Sequence, residues 1–495
     1  MDSSMINDER VVLTAGTIVG TRDGGVRSFF AIPYAAPPVG ERRFAPPAPV
    51  DPWSGERDAT MRGASAPQRI KDFPGLDIIP LVGDGQARGD DYLTLNVVAP
   101  VDAAGRPVMV FIHGGGFVVG SKDASVQDGT TFARDGIVYV AINYRLGIDG
   151  FLPIPGVPTN LGLRDMIAAL TWVRDNIAAF GGDPTNVTVF GESAGAMAIA
   201  DLIASPLAQG LFGRAIVQSG HGAMVRDISV AQRLVKKVAG LLNVSPDAAG
   251  FRAVGPDAGL DAVEAVSKPT ARIDLRDAQG REPVFGISRF VPVFGDDVLP
   301  DKPVAALEKG VGADIQVLIG SNAEEMNLYF VPTGVKAKIG RLLAWFVLRK
   351  SMPRAWSVLK AYGAGKRPIG DVFVDATTDL VFRWPARMFA AAHRGTTHMY
   401  EFEWQSPAGG GLGAAHGMEL PFVFDCLSVT TGPEGLTGTA PPQELASRIH
   451  ALWVRFATDG YLPWPAFEAD TRQVYQLARG ETVTEPPMPA APYLS

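Results

Sequence analysis

A chain of 495 residues, 46% hydrophobic and 20% charged, has the make-up of a large globular protein with ample material for a core, not of a disordered one. A formal net charge of −7 with no long basic run argues against a nucleic-acid partner. The one cysteine, Cys426, excludes an internal disulfide and a thiolate metal cluster, and reads as a small buried hydrophobe.

The first residues, Met1–Arg10, are polar and acidic and lack the basic start and apolar core of a secretory signal. No run of about 18 uncharged apolar residues follows. A cytoplasmic protein without a membrane span is the expectation. Val11–Val19 and Ser28–Tyr34 alternate or cluster apolar residues around glycine turns, which predicts a small antiparallel N-terminal sheet. Tyr34–Trp53 is rich in proline and must run as an extended surface wrap. Leu93–Val98, Val108–Ile112 and Ile137–Ile142 resume strand character, the last two as apolar runs suited to strands covered on both faces.

Between Leu161 and Phe180, Met166, Leu170, Val173 and Ile177 recur at helical spacing before Gly181-Gly182 ends the helix. Strands at Val187–Phe190, Arg214–Gln218 and Ile315–Ile319 follow. Strands alternating with helices imply an α/β fold with a mostly parallel sheet. The strand signal fades over Ala223–Lys309, and helical patterns prevail from Gly334 to Arg394. Within that region Leu342, Leu343, Trp345, Phe346 and Leu348 could belong to a helix lying on a membrane, but apolar residues nearly all round predict burial in a helical cap. His398–Trp404 returns to strand and Ala446–Ala457 to helix. With no internal repeat or low-complexity linker, residues 1–495 read as one catalytic domain carrying a helical insertion at about 334–394.

The chemistry centres on Phe190-Gly-Glu-Ser-Ala-Gly-Ala-Met197, where a strand ends, a Gly-x-Ser-x-Gly turn follows and a small-residue helix begins. Such a turn strains the backbone of Ser193, projects its Oγ, and aims the helix N-terminus at the reacting carbon. A serine nucleophile needs a base, and the base needs an acid to fix its tautomer. Of six histidines, His393, His398 and His450 sit in regular elements and read as structural or exposed, and His113 ends a strand before the glycine run. His416, in a loop of small residues, is the leading base, with His221 its rival. The acid should lie between serine and histidine at a strand end, where Glu324 and Glu325 both stand. His113-Gly-Gly-Gly-Phe117 leaves a strand and supplies a loop whose N–H groups, at Gly115 and Gly116 with Ala194, can form an oxyanion hole. The loop lacks the ending and spacing of a phosphate-binding fingerprint.

With these residues the chain resembles the type-B carboxylesterase and lipase family of α/β-hydrolases, which includes bacterial para-nitrobenzyl esterases and the cholinesterases. The likeness runs through Ile32–Phe44, Asp91–Asn96, His113–Phe117, Asn143–Gly147, Asn160–Asp165, Phe180–Pro184, Gly191–Gly195, Gln218–Gly220, Gly413–Phe424 and Trp453–Trp464. By this resemblance Ser193 is the nucleophile, His416 the base and Glu325 the acid, although Met326 stands where the family usually has glycine. Gly115, Gly116 and Ala194 carry over as oxyanion donors. Asp90-Asp91-Tyr92-Leu93 replaces the family's Cys-containing motif, so its usual disulfide is absent. His221 occupies a position that holds a second serine in some relatives, near the acid, so His221 and Ser219 are expected in the shell around Glu325, with His221 either contacting Glu325 or simply buried. No tryptophan lies between Gln68 and Asp90, unlike the cholinesterases, which argues against choline esters.

The resemblance implies hydrolysis of uncharged carboxylic esters through an acyl-enzyme, with no metal or cofactor and a small-molecule ester as the partner; a monomer is the expectation, though the resemblance does not supply it. Leu328, Tyr329 and Phe330 are candidates for the acyl pocket. Two other readings stand: an aryl carbamate or amide hydrolase using the same residues, and a non-catalytic binding protein of the same fold, which usually lacks one of the three catalytic residues.

Overall fold

The computed structural model describes residues 7–268, 270–282 and 288–494; the first six residues of the polar start lie outside them. A thirteen-stranded sheet organises the chain. Its strands are β1 (Asn7–Val12), β2 (Thr17–Asp23), β3 (Val26–Pro33), β4 (Thr94–Pro100), β5 (Arg106–Ile112), β6 (Val138–Ile142), β7 (Gly182–Glu192), β8 (Arg214–Gln218), β9 (Gln316–Asn322), β10 (Thr397–Phe402), β11 (Gln473–Gln476) and β12 (Glu481–Thr484). In space they run β1-β2-β3-β4-β6-β5-β7-β8-β9-β10-β11-β12, with the short strand Glu56–Asp58 against β2. From β6 to β11 every pairing is parallel. The N-terminal antiparallel strands join this sheet through β3 and β4 as one edge of it.

The two-residue period of a strand sends alternate side chains to opposite faces, and in the parallel region both faces are covered. Val108, Val110 and Ile112 of β5 enter one core with Val138, Val140 and Ile142 of β6, while Met109, Phe111, Tyr139 and Ala141 enter the other. Helix α1 (Leu161–Asn176) packs on the first face; Met166, Leu170 and Val173, with Ile177 in the turn after it, are fully buried. Helix α2 (Ala194–Ile203) follows β7 directly and is buried on all sides.

Residues 336–392 are helical: a short turn, α3 (Arg341–Arg349), a helix at Ala355–Ala361, α4 (Ile369–Thr378), a π-helical turn at Asp379–Arg383, and α5 (Trp384–Ala392). Here the expected burial of α3 fails in part. Leu348 and Ala344 are buried, but Leu342, Leu343 and Phe346 are 82%, 51% and 59% exposed. They fall on the face opposite Ala344 and Leu348, and no described element covers it. Cys426 departs less from expectation: it is half-buried against the second core, its Sγ–H directed at Val126 O and its thiol pushed up to about 12, chiefly by burial. Helix α6 (Gln443–Asp459) closes that core, with Trp453 fully buried.

Candidate active site

Ser193 sits at the carboxyl end of β7, a central strand held between β5 and β8, which is where open α/β sheets present their reactive groups. Its φ of 55° and ψ of −123° lie outside the regions that L-residues favour, so the turn is strained. Packing enforces the strain. A Cβ at Gly195 would stand 2.0 Å from Ile112 O, so only glycine lets α2 start this close to β5. The Ser193 N–H is anchored on Gln218 O of β8 at 3.0 Å.

The hydrogen bonds then run outward from the serine. Ser193 Oγ is 2.7 Å from His416 Nε2, and His416 Nδ1 is 2.7 Å from Glu325 Oε2. Glu325 is fully buried in the turn after β9, and its other oxygen accepts the Asn322 N–H at 2.7 Å. The His416 N–H in turn bonds Glu325 O at 3.2 Å, so backbone and side chain both tie the histidine loop to the acid. The neighbouring Glu324 does something else: its Oε2 accepts the Ala414 N–H at 2.9 Å, holding the loop two residues before the histidine.

Two further carboxyls border the imidazole. Glu192 Oε1 is 3.1 Å from His416 Nε2. Glu419, fully buried one turn beyond His416, accepts from Asn322 Nδ2 at 2.6 Å and Gln218 Nε2 at 3.2 Å; Gln218 Oε1 accepts from Trp453 Nε1 at 3.0 Å. Burial pushes Glu192 up to about 8, with His416 opposing and Glu419 and Glu325 reinforcing the shift. Glu419 is raised by burial and then by Glu325. Burial works against the His416 imidazolium, but Glu192, Glu325 and Glu419 together outweigh it and hold the ring above its ordinary value, at about 9.

The glycine loop leaves β5 beside the serine: a Cβ at Gly114 would lie 3.0 Å from Ser193 Cβ. Gly115 has φ 105°, and a Cβ there would meet Val119 O at 2.1 Å, so the tight turn requires glycine. Among the described residues, the N–H groups of Gly115, Gly116 and Ala194 have no hydrogen-bond acceptor. The loop is braced from behind. Tyr144 Oη donates to His113 O at 2.8 Å and its ring stacks on the His113 imidazole at 4.5 Å, while the Gly147 N–H bonds Phe117 O at 2.7 Å. Ser288 Oγ donates to Gly116 O at 2.7 Å. Burial lowers His113 to about 4, in keeping with a structural role.

His221 turns out not to contact Glu325. Its Nε2–H donates to Val381 O at 2.6 Å and its Nδ1 accepts the Ala223 N–H at 3.1 Å, so both nitrogens are committed to backbone and burial lowers it to about 4. Ser219 is fully buried, its Oγ without a partner among the described residues. Tyr329 lies 5.8 Å from the His416 ring, whereas Leu328 joins the second core and Phe330 packs on Phe373 of α4. The π-helical turn brings Phe382 to 4.7 Å from the same imidazole, a neighbour that sequence reasoning missed. Glu192 and Glu419 were missed too, although the first immediately precedes Ser193 in the turn and the second follows His416 by three.

The carboxylesterase family model matches residues 7–490. The chain belongs to the carboxylesterase family. The para-nitrobenzyl esterase of Bacillus subtilis (strain 168) is 36% identical over 489 residues, covering 95% of each chain. A phenmedipham hydrolase from Pseudarthrobacter oxydans is 34% identical over 481 residues, covering 92% of each. A solved structure of a PNB esterase superimposes with a TM-score of 0.84 at 31% identity, over 99% of this chain and 100% of the other. The fold is thus that of the α/β-hydrolase esterases, and the protein is a carboxylic ester hydrolase. No described helix of the esterase is long and apolar enough to cross a membrane.

Proposed function

We propose that the protein is a serine esterase acting on uncharged carboxylic esters through an acyl-enzyme, with Ser193 as nucleophile, His416 as general base and acid, and Glu325 as the orienting acid. The observation that carries this reading is the continuous pair of 2.7 Å contacts from Ser193 Oγ through His416 to Glu325. With the imidazole neutral, its Nδ1–H donates to Glu325 and its Nε2 accepts the serine proton as Oγ attacks the carbonyl carbon. The tetrahedral oxyanion is met by the N–H groups of Gly115, Gly116 and Ala194, donors that cost no reorganisation because no described residue occupies them. The imidazolium returns its proton to the leaving alkoxide, the alcohol departs, and water attacks the acyl-serine by the same route to release the acid. Tyr329 and Phe382 flank the imidazole and give the substrate apolar walls. Residues 1–495 act as one catalytic domain, with 334–394 as its helical cap.

A second reading, aryl carbamate hydrolysis with the same residues, is favoured by the relative that hydrolyses phenmedipham, a carbamate. Steady-state rates on para-nitrophenyl esters from acetate to laurate, with a phenyl carbamate beside them and Ser193→Ala as the blank, test both. Turnover of short or medium esters that vanishes in the variant supports the esterase reading. A carbamate kcat/KM above that of every ester replaces it with the second reading. Retention of ester turnover in Ser193→Ala removes Ser193 from the mechanism.

A further inference from the structure

Residues 326–370 contain no aspartate or glutamate and nine lysines and arginines, in a chain whose net charge is −7. Helix α3 runs through the middle of this segment. Its inner face, Ala344 and Leu348, is buried with Val358, Leu359, Val372 and Phe373 in the small cap core. Its outer face presents Leu342, Leu343 and Phe346 to solvent, 82%, 51% and 59% exposed, and Trp345 on the same helix is half-buried. Exposed leucine and phenylalanine side by side on one helix face mark an interaction surface. Lys338 and Arg341 stand at one end of the patch and Arg349, Lys350 and Arg354 at the other, all exposed and, among the described residues, without an acidic partner. Arg349 lies over the Trp345 ring at 5.0 Å and Lys350 over Phe346 at 5.7 Å, so the cations rim the apolar residues directly.

We propose that this face docks on an anionic phospholipid bilayer surface, with Leu342, Leu343 and Phe346 entering the headgroup and acyl boundary and the flanking cations meeting lipid phosphates. A short apolar helix face ringed by lysine, arginine and tryptophan is suited to lying in that interface, where cations are drawn to a negative leaflet and indole rings sit at headgroup depth. Charge speaks against a second copy as the cover. A two-fold contact through this face would set each copy's unpaired cations against those of the other, with no acid in the segment to offset them. Docking here lays the cap on the membrane, because α3 rests on the core that holds Phe373, and Phe373 packs on Phe330 at 5.8 Å, one residue from the Tyr329 that borders His416.

The test is co-sedimentation of the full chain with vesicles of phosphatidylcholine containing 30 mol% phosphatidylglycerol, against phosphatidylcholine alone, at low and high salt. Binding at least tenfold stronger to the anionic vesicles, weakened by salt, is expected. Leu342→Asp with Phe346→Asp, and separately Arg349→Glu with Lys350→Glu, should each lower that binding tenfold or more. Both variants should keep the wild-type thermal midpoint and hydrolysis of a soluble short-chain ester, since none of these residues touches the active site. The proposal is overturned by absence of binding to anionic vesicles, by binding that both variants retain, or by a wild-type dimer in sedimentation velocity that Leu342→Asp with Phe346→Asp dissociates.

Discussion

Glu192 Oε1 lies 3.1 Å from His416 Nε2, the same nitrogen that faces Ser193 Oγ at 2.7 Å. The base therefore shares its working nitrogen with a buried carboxyl, and the two must titrate together. Negative charge on Glu192 favours the imidazolium, one reason His416 is held at about 9, while burial holds Glu192 at about 8. Only neutral His416 can accept the serine proton, so kcat/KM should climb on the alkaline side as the imidazolium is lost. Glu192→Gln keeps the shape, removes the charge, and lowers the His416 value. Its acid limb should move down by about one to three pH units and become a single step. An unchanged limb in the kcat/KM profile would mean that Glu192 does not set the protonation of the base.

Glu324 and Glu325 adjoin in sequence, yet only Glu325 touches His416. Glu325→Gln should lower kcat by about 10²–10⁴-fold through loss of the correct tautomer. Glu324→Gln can still accept the Ala414 N–H and should stay within a few-fold of wild type. Parallel kcat measurements on para-nitrophenyl acetate decide it, and equal losses in the two variants would remove the distinction.

What was legible in the sequence, and what was not, follows from the range of the interactions. The strands of the parallel sheet showed in their apolar runs, and α1 in the spacing of Met166, Leu170, Val173 and Ile177, because local periodicity records which face is buried. The Ser193 turn and the glycine loop showed because backbone strain and close approach restrict residue type over a few positions. Glu419 did not stand out, since its partners Gln218 and Asn322 come from distant strands that meet only in the fold. Phe382 reaches His416 by way of a π-helical turn that no spacing rule announces. Apolar residues around α3 pointed to burial, but a composition without acids does not say where a helix stops being covered, and Leu342 and Phe346 remain outside.

Arg145 and Asp165 tie two of the sequence motifs together below the site. Both are essentially fully buried, and Asp165 accepts from Arg145 Nε at 2.8 Å, Nη2 at 2.7 Å and the backbone N–H at 3.0 Å, while Nη1 reaches Ala45 O in the proline-rich wrap. Asp165→Ala strands a buried guanidinium and should cost about 3–5 kcal/mol in urea unfolding. Pairing it with Arg145→Met should recover much of that loss, because removing both charges also removes both desolvation penalties. A double variant no more stable than the single one would show that the arginine's remaining contacts, not its charge, hold the wrap.

Asp201 presents the reverse case. It lies on α2, 1% exposed, and neither carboxyl oxygen has a hydrogen-bond partner among the described residues. Burial alone raises it well above the ordinary 3.8. The folded state therefore keeps the proton when the unfolded chain has released it, so stability is full below about pH 4 and falls as pH rises toward the folded value. Asp201→Leu, of similar size and without a charge to bury, should match wild type near pH 4 and exceed it by roughly 1–3 kcal/mol at pH 7. Thermal midpoints of the two proteins at both pH values provide the check. A lower midpoint for Asp201→Leu at both would mean that the carboxyl has a bound partner within the core.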